Sequence, residues 1–120
     1  MLGQPRKVNS GQLRNDSVKE RSKKNERKTA SKLGGQTTPG SGAFEGHKGD
    51  IKLTDFLLEM KETQNKSISI LIEHLIKITK EANATNKDGG MVYKFINTPP
   101  NMEKEWVLLP LSKFKELIEE

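Results

Sequence analysis

Three charged residues are spaced as a hydrolytic site on a phosphate would need them: Asp50, Glu59 and Lys61. Eight residues separate the two acids, and the lysine follows the second acid at a spacing of two. Strand side chains alternate with period two. Glu59 and Lys61 therefore share one face, while Leu58 and Met60 point the other way, into a core. Asp50 opens the extended segment before them and reaches Glu59 if the two strands pair. Carboxylates forced together repel unless a cation lies between them. A hard divalent ion with oxygen ligands meets that need, Mg²⁺ first and Mn²⁺ second. A lysine beside such an ion can orient or help deprotonate a metal-bound water, or offset charge building on a phosphate. An E-x-K triplet alone is commonplace on a solvated strand. Asp50 adds weight to this one, as does the run Phe56–Met60, apolar on both faces until the acid, as in a central strand.

The elements that must hold these residues can be read from patterning. Ser17 as N-cap and Glu20 three residues on form a capping box for a helix from Val18 to Leu33, which Gly34-Gly35 ends. Gln36 to Gly49 reads as loop. Ile51–Leu53 and Phe56–Met60 read as two short strands joined at Thr54-Asp55. Ser67 to Ala84 is the clearest helix, with Ser67 as its cap. Ile68, Leu71, Ile72, Leu75, Ile76, Ile78 and Ala82 form its apolar face, and Lys77, Lys80, Glu73 and Glu81 lie mostly on the other. Asp88-Gly89-Gly90 stops the chain. Met91–Ile96 and Trp106–Leu109 read as strands, and Ser112 caps a final helix with Phe114, Leu117 and Ile118 on its face. The expected order is α–β–β–α–β–β–α. Tyr93 and Trp106 read as core, and His74 as a surface or boundary residue.

Charge is divided along the 120 residues. Positions 1–40 hold ten Lys and Arg against three acids, net +7, and positions 41–120 hold eleven against thirteen, net −2. The basic front third has no aromatic residue and too little apolar surface to offset its ordering entropy, so residues 1–17 read as a disordered arm before a single domain over 18–120. Such arms favour phosphate polyanions. The apolar face of a membrane-surface helix is missing, and no run approaches a membrane span. No apolar signal-peptide core follows Met1. The chain has no cysteine, which excludes disulfides, thiolate–zinc sites and a cysteine nucleophile and fits a cytoplasmic setting. No Walker loop, H-E-x-x-H or G-x-S-x-G is present.

Asp50 … Glu59-Met60-Lys61 resembles the PD-(D/E)xK nuclease superfamily in its minimal form. The flanks resemble its Holliday-junction resolvase branch, archaeal and phage-encoded: a helix glutamate, a serine-bearing loop, G-D, a strand, E-x-K and a helix. Here these are Asn25-Glu26-Arg27, the loop around Ser41, Gly49-Asp50, Glu59-Met60-Lys61 and the helix after Lys66-Ser67. Gly49 replaces the proline of the motif, and the resemblance spans roughly residues 20–112. It implies a restriction-endonuclease-like α/β core, a small mixed sheet flanked by helices. Asp50 and Glu59 would ligate Mg²⁺, joined by the carbonyl of Met60. Lys61 would be the catalytic lysine, Glu26 the helix glutamate with Glu20 as its rival, and Ser41 a neighbour of the scissile phosphate. Lys48, Lys66, Arg27 and Lys28 are candidate DNA contacts.

The implied activity is metal-dependent cleavage of four-way DNA junctions. A junction is roughly two-fold symmetric and needs two nicks, so a homodimer is expected. Two other readings stay open: a nicking or restriction-type nuclease of the same superfamily, and a non-catalytic basic nucleic-acid-binding protein.

Overall fold

The computed structural model describes residues 20–38 and 50–120. The expected arm over 1–17, Ser41 and Lys48 lie outside them. The order is α1 (20–32), β1 (Gln36–Thr37), β2 (Ile51–Lys52), β3 (Phe56–Thr63), α2 (Ile72–Ala84), β4 (Asp88–Phe95), β5 (Glu105–Leu108) and α3 (Leu111–Ile118). The five strands lie side by side in chain order. β1, β2 and β3 pair antiparallel, β3 and β4 pair parallel across the α2 connection, and β5 returns antiparallel on β4. This is the mixed α/β class that the patterning implied. No helix among the described residues is long and apolar enough to cross a membrane.

β3 is apolar on both faces because both are covered. Leu58 and Met60 pack with Ile51, Val92 and Ala30 of α1, while Leu57 packs with Met91, Tyr93 and Ile78 and Ala82 of α2. Each such buried aliphatic side chain contributes roughly 1.5–3 kcal/mol. The period-two pleat thus separates an α1 side, holding Leu58, Met60 and Glu62, from an α2 side, holding Leu57, Glu59 and Lys61. Lys87 ties the ends together, its ammonium donating to the carbonyls of Leu53 and Thr54 at 2.6 Å each.

Several boundaries differ from the patterning. Gln36–Thr37 is a short strand rather than loop, held on the edge by Lys52 and Ile51. α2 starts at Ile72 with Leu71 at its N-cap and no side-chain cap, so Ser67 does not cap it. The Ser67-Ile68-Ser69-Ile70 segment has poor helix propensity and instead lays Ile68 against the α2-side core. α2 ends at Ala84 with Thr85 as its C-cap, and Asn86 beyond it is left-handed at φ 57°, with Asn86 N–H donating to Asn83 and Lys87 N–H to Ala82. Asp88-Gly89-Gly90 does not stop the chain but begins β4. Pro110, not Ser112, occupies the N-cap of α3. Trp106 is half exposed rather than core.

Gly89 shows why glycine sits inside a strand. A Cβ there would lie 2.9 Å from the Ile78 carbonyl oxygen, so α2 approaches β4 through this position. Gly89→Ala is expected to lower stability by at least about 1 kcal/mol, read as a reduced urea midpoint at unchanged slope. An unchanged midpoint would show that α2 can shift away freely.

Candidate active site

The β2–β3 register pairs Ile51 with Leu58, which brings Asp50 across from Glu59 at the end of β2. Asp50 N–H donates to the Leu58 carbonyl at 2.8 Å. Its carboxylate then accepts the Met60 N–H on Oδ2 at 2.7 Å, so a side chain continues the ladder where the backbone of β2 leaves it. A charge-assisted bond of this length fixes the carboxylate against β3 between the two acid positions of the motif.

Glu59 is 6% exposed, on the α2 side of the sheet. Lys61 Nζ lies 3.1 Å from Oε2 and Lys77 Nζ 3.0 Å from Oε1. Burial alone would raise the Glu59 carboxyl, but the hydrogen bonds from Lys77 and Lys61 outweigh it and hold the group below the usual carboxylate range. Lys77 also meets Glu81 at 3.1 Å. Burial opposes its charge, and the bonds to Glu59 and Glu81 win, raising the ammonium above its ordinary value. Lys77 is exposed, as its place in the helix pattern implied, but its ammonium reaches the buried Glu59. The sequence signal for it was Glu59 itself, an acid in an apolar strand, which needs a cation from whatever packs over it.

On the other side, α1 turns Asn25, Glu26, Thr29 and Ala30 toward the sheet. Glu26 is pushed up to about 7, first by burial and then by the nearby charges of Asp50 and Glu62. Asn25 Nδ2 donates to Glu62 Oε1 at 3.0 Å. Of the two rival helix glutamates, Glu26 is thus the one that meets Asp50, while Glu20 is exposed beside Arg21, Lys23, Lys24 and Arg27. Glu62 and Asn25 belong to this cluster and were not foreseen. A helix face that buries polar residues carries no apolar periodicity to reveal it.

The motif's acids thus have two different sets of neighbours. Asp50 stands with Glu26 and Glu62, and Glu59 stands with Lys61 and Lys77. Among the described residues no three acidic or imidazole side chains converge as a complete metal cage. The side chains around Glu26 offer carboxylate oxygens, the donor type a hard cation takes, and Glu26 is raised first by burial and only then by Asp50 and Glu62. Met60 contributes its N–H to Asp50, and its side chain is buried on the α1 side. Arg27, Lys28 and Lys66 are exposed. Among the described residues, the buried polar atoms Tyr93 Oη and His74 Nδ1 have no protein partner. The Tyr93 hydroxyl is raised by burial and then by Glu59. Comparison of the chain with protein-family models, with curated proteins and with solved structures finds no match in any of the three.

Proposed function

We propose that this chain is a metal-dependent endonuclease of the PD-(D/E)xK kind that cuts four-way DNA junctions by phosphodiester hydrolysis. The reading rests above all on one observation: Asp50 is held by the Met60 N–H within the Glu59-Met60-Lys61 triplet, with Glu26 of α1 crowding it. The mixed sheet between helices is compatible with the small α/β core that the resemblance implies. For Asp50 and Glu59 to hold Mg²⁺, or Mn²⁺ in its place, the Glu59 carboxylate would have to leave Lys61 and Lys77 and turn toward Asp50, with Glu26 completing the acidic cluster and the Met60 carbonyl as a further donor. The ion supplies a water of lowered pKa and charge neutralisation at the phosphate. Lys61 orients the attacking water and offsets charge on the phosphate. Lys77 keeps Glu59 ionised in its buried position. Arg27 and Lys28 on the outer side of α1, with Lys48, Lys66 and the basic residues of the arm, would supply sequence-independent affinity for DNA, and the resemblance would put Ser41 near the cut bond. Two such chains in a homodimer would place two sites on a symmetric junction.

A second reading has its own support. Both Glu59 oxygens are engaged by lysines, as they would be in a purely structural ion-pair cluster. The chain would then be a basic nucleic-acid-binding protein without chemistry. An immobile synthetic junction, incubated with the full chain with and without Mg²⁺, separates the two. Paired symmetric nicks that need the ion support the nuclease, and competition by linear duplex separates a junction enzyme from a restriction-type one. Binding without any cleavage in Mg²⁺ or Mn²⁺ overturns the enzymatic reading.

Deleting residues 1–17 removes Arg6, Lys7 and Arg14. The plot of log K against log salt is expected to flatten by about 2–3, at roughly 0.9 per phosphate contact. An unchanged slope in a fluorescence-anisotropy titration would show that these residues touch no phosphate.

A further inference from the structure

We infer that the β5–α3 face is the surface on which two copies of this chain associate. α3 is amphipathic, yet none of its residues is buried: Leu111 is 81% exposed and Ile118 66%. An eight-residue helix is not stable by itself. α3 is tied to the domain through Lys113, which pairs with Asp88 at 2.9 Å and lies 5.5 Å from the centre of the Phe56 ring. Its apolar stripe continues onto β5. One groove is lined by Trp106, Val107 and Leu117, and a second by Val107, Leu111 and Phe114, so the two adjoin at Val107. Val107 is 58% exposed on a strand that is an edge of the sheet among the described residues.

The size of the surface points to a protein partner. At roughly 150–250 Å² per large side chain, the exposed fractions of Trp106, Val107, Leu111, Phe114, Leu117 and Ile118 amount to about 600–700 Å². A typical monomer exposes no apolar patch larger than about 300–600 Å². A standard two-chain interface takes about 800 Å² from each side.

The charges around the patch choose the partner. A two-fold interface sets the same patch against itself, so a one-signed rim would repel. Here the charges on and beside β5 and α3 are mixed, with Lys32, Lys104, Lys113 and Lys115 against Glu103, Glu105, Glu116, Glu119 and Glu120. This face lacks the basic excess that DNA needs. It also lacks the acidic excess that would draw in the segment 1–19, with its four Lys and Arg against one Asp. The outer face of α2 and the segment before it, with Ile70, Leu71, Ile72 and Ile76, offers about half as much exposed apolar surface. The inference concerns this face alone and holds whether or not the chain cuts DNA.

The test is sedimentation equilibrium on the full chain. Twice 13.5 kDa is expected at about 10 µM. Phe114→Asp is expected to weaken association at least about 30-fold with circular dichroism unchanged, and Ile72→Asp to leave it intact. Since the chain has no cysteine, Val107→Cys supplies a second readout that needs no destabilised variant. A single nitroxide there is expected to report a short label-to-label distance in the dimer. A monomer at about 100 µM, a dimer broken by Ile72→Asp but not by Phe114→Asp, or labels at Val107 too far apart to couple would each overturn the inference.

Discussion

Asp50→Asn and Lys61→Ala are each expected to slow Mg²⁺-dependent nicking of a four-way junction by about 10²–10³-fold or more, while junction binding in EDTA stays near native. The two substitutions remove charge without removing structure. An asparagine in place of Asp50 keeps an oxygen for the Met60 N–H, so the end of β2 stays attached to β3. Lys61 has a partly exposed side chain, and its loss leaves Lys77 on the other oxygen of Glu59. A fall in rate would therefore come from the site and not from unfolding, and thermal melts of the three proteins check this directly. Single-turnover rates with enzyme in excess isolate the cutting step from product release. Native rates in both variants would remove these residues from the chemistry. Loss of binding together with rate would point to a phosphate anchor instead. Lys77→Ala provides the contrast: Lys77 touches Glu59 and Glu81, so its removal is expected to lower the affinity for Mg²⁺ or shift the pH optimum rather than to abolish cutting.

How far the sequence could be read depended on whether a residue's role was local or set by packing. The pleat of β3 was legible because period two is a property of the strand alone, and it correctly put Glu59 and Lys61 on one side and Leu58 and Met60 on the other. The central place of β3 followed from its continuous apolar run, which makes sense only with helices on both faces. Lys77 was not legible in this way. Helical periodicity counts apolar positions, and an exposed lysine next to Ile78 on the rim of the stripe falls outside it, although its ammonium meets the buried Glu59. The cluster of Asn25, Glu26 and Glu62 was partly visible, through the resemblance alone, because α1 presents polar groups where a core helix presents apolar ones. The glycines of β4 misled for the opposite reason. Gly89-Gly90 has the composition of a turn, yet the Ile78 carbonyl leaves no room for a Cβ at Gly89, so close packing and not a turn demands it. The same logic explains α2, whose first five expected residues are withheld from the helix by serines and β-branched side chains while Ile68 still reaches the core.

In the presence of a chelator, Glu26→Gln is expected to stabilise the protein by about 2 kcal/mol at pH 8 and by nothing measurable at pH 4. The Glu26 carboxyl moves from an ordinary value of 4.5 to about 7 in the folded chain. Below 4.5 it is protonated in both states and costs nothing. Between 4.5 and 7 the unfolded chain gives up this proton while the folded chain keeps it, so stability falls as the pH rises, and the full penalty is present above 7. The shift corresponds to at most about 3.4 kcal/mol, which solvent screening at a half-buried site reduces to about 2. Glutamine fills the same space and cannot ionise, so the variant escapes the penalty and its urea midpoint stays flatter from pH 5 to 8. A difference that does not change with pH would mean that neither burial nor Asp50 and Glu62 raise Glu26 in the folded chain. Mg²⁺ then supplies the functional half of the measurement. If the acids exist to hold a cation, adding it at pH 8 raises the native midpoint and narrows the gap to the variant, because the ion binds the folded cluster and not the unfolded chain. If the midpoints of both proteins ignore Mg²⁺, the crowded acids serve the fold alone, and the enzymatic proposal loses the physical reason for placing three carboxylates around one strand end.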